Sequence, residues 1–143
     1  MRRLLVILMA VTIIAGVSCG GSGAPTPDVG SAPQLDNDTQ RTLESALQIA
    51  SGLEITSVQS NTAGITITYD QPVAISQAEM MPRWLDMASV TISFLDEPAT
   101  IIIRPTGSGA TVSRVVIDSG DVAALLTGEM SFETAISRIK IEQ

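Results

Sequence analysis

Glu54–Asp70, EITSVQSNTAGITITYD, is the stretch that decides the fold. Ile65, Ile67 and Tyr69 alternate with Thr66 and Thr68, the two-residue period of a strand buried on one side. Glu54–Ser60 is strand-like too, and Asn61-Thr62-Ala63-Gly64 supplies turn residues between the two runs. Together they predict an antiparallel hairpin. A second hairpin is expected from Ala99–Pro105 and Ala110–Asp118, with Thr106-Gly107-Ser108-Gly109 at its tip. Ile101-Ile102-Ile103 is apolar toward both faces, which places that strand inside a sheet.

Helices are predicted around these hairpins. Asn37-Asp38-Thr39-Gln40 reads as a capping box, with Leu43, Ala46, Leu47, Ala50 and Leu53 at helical spacing behind it and Gly52 as a stop. Ser76-Gln77-Ala78-Glu79 is another capping box, but Pro82 follows. The second helix therefore either kinks at Pro82 or starts there. Met81, Trp84, Leu85, Ala88, Ile92 and Leu95 share one of its faces, and Asp96-Glu97-Pro98 ends it. Asp118-Ser119-Gly120-Asp121 opens a short helix that Gly128 stops, and Ser131 caps a last one carrying Phe132, Ala135, Ile136 and Ile139. Ile139-Lys140-Ile141 alternates and offers one more short strand.

The order α-ββ-α-ββ-α predicts an α+β fold. It is a single small domain, with a four-stranded antiparallel sheet from two hairpins and helices packed on one face. The expected segments are a leader over 1–18, a linker over 19–35 and the globular domain over 36–143. Pro25, Pro27 and Pro33 lie among Gly, Ser, Ala and Thr in the linker, which has too few core-forming residues to offset the entropy of ordering it.

Composition narrows the function. The 143 residues carry a formal charge of −7, which becomes −9 without Arg2 and Arg3. The remaining cations, Arg41, Arg83, Arg104, Arg114, Arg138 and Lys140, form no stripe along the sequence, so nucleic acid is not an expected partner. An acidic surface is also poorly matched to anionic lipid. Histidine is absent, which removes the commonest general base and the commonest transition-metal ligand.

The first nineteen residues point elsewhere. Arg2-Arg3 precedes the 14-residue, uncharged, mostly apolar run Leu4–Val17, and Ser18-Cys19 is followed by Gly20-Gly21-Ser22-Gly23. A membrane span needs about 20 apolar residues, so the run is short for one. Cys19 is the lone cysteine and has no disulfide partner in the chain. Ala15-Gly16-Val17-Ser18-Cys19 resembles the lipobox of bacterial lipoproteins, with Gly16 where that family usually has Leu. The resemblance implies cleavage before Cys19 and lipid attachment at Cys19, including palmitate-type acyl chains. It thereby implies anchoring in membrane lipid on the extracytoplasmic side of a bacterial cell envelope. An uncleaved signal anchor and a plain secreted protein with a free Cys19 thiol are the alternatives.

No catalytic, cofactor-binding or metal-binding residues are assigned. Asp118, Asp121 and Glu129 form the best acidic cluster, but Asp118 as a cap and Asp121 in a first helical turn account for two of the three. Calcium needs six to eight oxygens, and no EF-hand-type loop is present. Asp96, Glu97 and Glu79 suggest no carboxylate pair at glycosidase spacing. Ser108 sits at a hairpin tip, and the only lysine available as its base, Lys140, lies near the chain end. Phosphate-loop and dinucleotide fingerprints are absent. The expectation is a non-enzymatic, tethered module that binds or assembles with another extracytoplasmic protein. The alternative is a small-solute carrier or sensor with a cavity lined by Met80, Met81, Met87 and Trp84.

Overall fold

The computed structural model describes residues 34–143. The leader, Cys19 and the linker up to residue 33 lie outside the described residues. The elements run α1 (Asn37–Ser51), β1 (Glu54–Asn61), β2 (Gly64–Asp70), α2 (Gln77–Ile92), β3 (Thr100–Thr106), β4 (Arg114–Asp118), α3 (Ser119–Leu126), α4 (Phe132–Arg138) and β5 (Lys140–Glu142). The fold is α+β, as the hairpin-and-helix pattern predicts. No helix among the described residues is long and apolar enough to cross a membrane.

The sheet departs from the four-stranded antiparallel expectation. It has five strands in the order β1-β2-β3-β4-β5. The pairs β1–β2, β3–β4 and β4–β5 are antiparallel, but β2–β3 is parallel, with Ile65 beside Ile101 and Ile67 beside Ile103. The cause is the length of α2. Its 16 residues rise about 24 Å, close to the length of a seven-residue strand. The helix thus returns the chain to the starting end of β2, and β3 sets out in the same direction. The fifth strand is the Ile139–Ile141 alternation, shifted by one residue to Lys140–Glu142. The expected strand over Ala110–Asp118 shrinks to Arg114–Asp118, because Val112 turns into the core before β4 begins.

Caps set the helix starts. In α1 the cap is Asp36, one residue earlier than the Asn37 reading, and its Oδ1 accepts from the Thr39 N–H at 2.7 Å. That bond to the Thr39 backbone holds the Asp36 carboxyl below its ordinary pKa. Gly52 ends α1 in the left-handed region. In α2 the Ser76/Glu79 capping box is complete. The helix begins there, not at Pro82. Pro82 sits inside it on the exposed side, so the Ala78 carbonyl that loses its helical donor faces water. The buried face of α2 is Met80, Trp84, Leu85, Met87, Ala88 and Thr91, turned from the expected face, and Leu95 falls beyond the helix end. Asp118 and Ser131 cap α3 and α4 as expected.

One face of the sheet carries the core. Ile65, Ile67, Tyr69, Ile101, Ile103 and Val115 are fully buried there with Leu43, Leu47, Met80, Trp84 and Met87 of the helices. Leu35 packs against the same core, and its N–H donates to Ser60 Oγ. A chain of hydrogen bonds crosses the interior. The Trp84 indole N–H donates to the Tyr69 hydroxyl at 2.9 Å, and that hydroxyl donates to Gln71 Oε1 at 3.0 Å. Burial pushes the Tyr69 phenol pKa up. Gly64 closes the first hairpin at φ 126°, and a Cβ there would run into the Thr100 carbonyl of β3.

Tyr69→Phe is expected to strand the buried indole N–H and to cost about 1–3 kcal/mol. Urea unfolding followed by fluorescence of Trp84, the single tryptophan, checks it. An unchanged midpoint would show that the bond carries no net stability.

Candidate functional site: the uncovered sheet face

Among the described residues, the other face of the sheet carries no helix. Cross-strand partners share a face, so the register assembles it in rows. One row is Gln59, Thr66, Ile102, Val116 and Lys140. The next contains Ser57, Thr68 and Arg104. Arg114 lies on the same face two residues from Val116, just past the Ile103–Val115 pair that ends the β3–β4 ladder. Arg114 pairs in turn with Glu142. Arg104 and Lys140 are exposed, while Thr66, Thr68, Ile102 and Val116 are half-buried.

Electrostatics divide this face. Arg114 grips Glu142 with a two-pronged pair, Nε to Oε2 at 2.7 Å and Nη2 to Oε1 at 2.8 Å. The pair holds the Glu142 carboxyl below its ordinary pKa, mainly through those hydrogen bonds, with a smaller contribution from nearby Lys140. Arg138 Nη1 meets Asp121 Oδ1 at 2.6 Å. Among the described residues, Arg104 and Lys140 are in no salt bridge. An open hollow of about 690 Å³ continues the face past β4 and β5, lined by Thr100, Val116, Asp118, Asp121, Arg138 and Lys140 among others.

The acidic residues singled out in the sequence have structural tasks. Asp118 Oδ1 accepts from the Gly120 N–H at 2.8 Å, and Asp121 is bound to Arg138. Glu129 is exposed and lies outside that hollow. No group of three or more Asp, Glu, Cys or His able to hold a metal occurs among the described residues. Glu79 is tied to Ser76 by bonds to Oγ and N–H at 2.6 and 2.9 Å. Asp96 and Glu97 are exposed beyond the end of α2. Ser108 is exposed in the β3–β4 connection. Met80, Met87 and Trp84 are fully buried in the core, and Met81 packs partly against it. Cys19 lies outside the described residues. The Arg114–Glu142 pair escaped the sequence reading, because it depends on the pairing of β4 with a strand far along the chain.

No protein-family model, curated protein or solved structure matches the chain.

Because the Glu142 carboxyl is held below its ordinary value of 4.5, its pairing stabilises β5 above that pH and is lost as pH falls through the lowered value. NMR titration is expected to place its midpoint below the ordinary value, with β4–β5 contacts weakening as pH drops past it. Arg114→Gln should return the midpoint toward 4.5; a midpoint already ordinary in the wild type would contradict the pairing. Millimolar calcium is expected to leave Tm unchanged, and a clear rise would reveal a cation site that Asp118, Asp121 and Glu129 do not explain.

Proposed function

We propose that this protein is a membrane-tethered lipoprotein of the bacterial cell envelope, held by lipid on Cys19, whose domain is a non-enzymatic binding or assembly module on the extracytoplasmic side. The observation that carries the tether is the order Arg2-Arg3, Leu4–Val17, Ser18-Cys19. A single acyl chain binds a bilayer weakly, so firm anchoring calls for the several chains that lipoproteins carry. The Pro- and Gly-containing residues up to 33 then act as the spacer between lipid and domain. Support for a binding module comes from the five-stranded sheet, one face of which carries no helix among the described residues. Its working partner is an extracytoplasmic protein, not nucleic acid.

The carrier or sensor reading drew on Trp84, Met80 and Met87, whose side chains are used up in core packing. It gains no separate support from the hollow beside β5, where Asp121 and Arg138 already satisfy each other.

Cys19→Ser is expected to abolish incorporation of labelled palmitate in cells and to move the protein out of the washed membrane fraction. Unchanged labelling would overturn the Cys19 anchor. In-cell crosslinking and capture of the tagged full chain is expected to return a defined protein partner missing from an unrelated lipidated control. Identical capture patterns would remove the assembly reading.

A further inference from the structure

We propose that β5 is a self-recognition edge: two copies of this chain join by antiparallel pairing of their β5 strands about a two-fold axis at Ile141, with Lys140 of each copy meeting Glu142 of the other. The proposal goes beyond the binding-module reading and uses an edge of the sheet, not its helix-free face.

Backbone direction is the first argument. Among the described residues β5 is the last strand of the sheet, and its ladder runs to β4 alone. The Glu142 carbonyl accepts from the Ser113 N–H at 2.8 Å, so Glu142 turns its peptide groups toward β4. These groups alternate in direction along a strand, so Lys140 also points to β4, and the Ile141 N–H and C=O point to the open edge. The other end of β4 gives the same alternation. The Ser119 N–H donates to the Ala99 carbonyl, which aims Val115 at β3 and leaves Arg114 and Val116 aimed at β5. The β1 edge differs, since Glu44 there accepts the Val58 N–H. An open N–H and C=O on an edge strand are a template for another strand.

Self-complementarity is the second. A two-fold interface sets a patch against itself, so the patch must match its own copy. Antiparallel pairing centred on Ile141 lets the two Ile141 residues exchange both backbone bonds, and it sets Lys140 against Glu142 twice. Those charged pairs occupy the positions without mutual backbone bonds, where Cα atoms approach to about 4.5 Å and side chains lie closest. Opposite charges so placed are stabilising. The grip of Arg114 takes one bond at each Glu142 oxygen, and each oxygen has a second lone pair to offer. Sliding the strands to the next matching register sets Lys140 on Lys140 or Glu142 on Glu142. The three residues of β5 therefore have one register of opposite charges.

Net charge and apolar surface are the third. The chain has a formal charge of −7, which sets two copies against each other. On this flank the balance is different. β4, α4 and β5 each carry one cation and one acid: Arg114 with Asp118, Arg138 with Glu133, and Lys140 with Glu142. Adding Asp121 of α3, which Arg138 binds, brings the flank to only −1. Ile141 packs against the core on the helix side but stays half-buried. A second Ile141 beside it covers apolar surface that one copy leaves wet.

Lys140 is the only lysine in the chain, so zero-length carbodiimide coupling of amine to carboxylate is a specific probe. It is applied to the membrane and soluble fractions of cells producing the full chain. A covalent dimer is expected, with mass spectrometry of mixed-isotope protein placing the link between Lys140 of one copy and Glu142 of the other. Lys140→Arg keeps the charge, offers no side-chain amine and should remove that link. In sedimentation of the purified full chain, Lys140→Glu is expected to weaken self-association about tenfold or more. Lys140→Glu and Glu142→Lys copies, each weak alone, should recover it when mixed, because every charged pair across the mixed edge is again opposite. Recovery also shows that both variants fold, and the wild-type coupling decides if Glu142→Lys does not. Monomer alone after coupling, or dimers joined only through other carboxylates, overturn the proposal. So does self-association that Lys140→Glu leaves unchanged. Coupling of Lys140 to a different protein assigns the edge to that partner and overturns it too. A Lys140–Glu142 dimer found only in the soluble fraction removes the Cys19 anchor and keeps this proposal, whereas a membrane-bound monomer does the reverse.

Discussion

The hydrogen bond from Trp84 to the Tyr69 hydroxyl, 2.9 Å long and wholly buried, is the interaction on which the layout turns. An indole and a phenol cannot be buried without partners for their polar atoms except at considerable cost. The indole N–H donates to the phenol oxygen, and the phenol O–H donates in turn to Gln71 Oε1. The bond fastens α2 over β2 as the large apolar bodies of both residues fill the core. With α2 in that place, β3 returns parallel to β2. The helix α1 then leans on α2 and β1, and Arg83 of α2 donates to the Ser51 carbonyl at the end of α1. On the other flank, Val122 of α3 joins the same core. Every helix that reaches the core does so from this side.

One-sided packing has a chemical consequence. Ile65, Ile67, Tyr69, Ile101, Ile103 and Val115 face the helices, and Thr66, Thr68, Arg104 and Lys140 alternate outward together with Ile102 and Val116. The edges of the sheet are managed as well. Glu44 of α1 accepts from the Val58 N–H of β1, so a helix side chain occupies part of that edge. At the opposite edge, β5 is only three residues long and is held by Arg114 and Glu142. The broad outward face, by contrast, carries no helix among the described residues. It also holds Arg104 and Lys140, which are in no salt bridge among the described residues.

Local chemistry was the most legible part of the chain. Ser76 with Glu79, Asp118, Ser131 and Gly52 mark helix ends through short-range hydrogen bonds and backbone sterics that depend on a few neighbouring residues. The alternation in Ile65–Tyr69 located β2 correctly for the same reason. What escaped was non-local. Pairing direction between β2 and β3 depends on how far α2 travels, and the buried stripe of α2 depends on where Trp84 finds Tyr69. Arg114 and Glu142 are far apart in sequence and become partners only through the β4–β5 register. The acidic cluster misled in the opposite sense: Asp118 and Asp121 are conspicuous in sequence, yet a cap and an ion pair with Arg138 occupy them.

The central claim is that the protein works through its helix-free sheet face. Site-specific photo-crosslinking in native cells tests it most directly, with the reactive side chain placed at Thr68, beside Arg104 on that face, or at Ile49, an 85% exposed position on α1. The account predicts a discrete partner adduct from position 68 and none from position 49. Adducts from position 49 alone would contradict it.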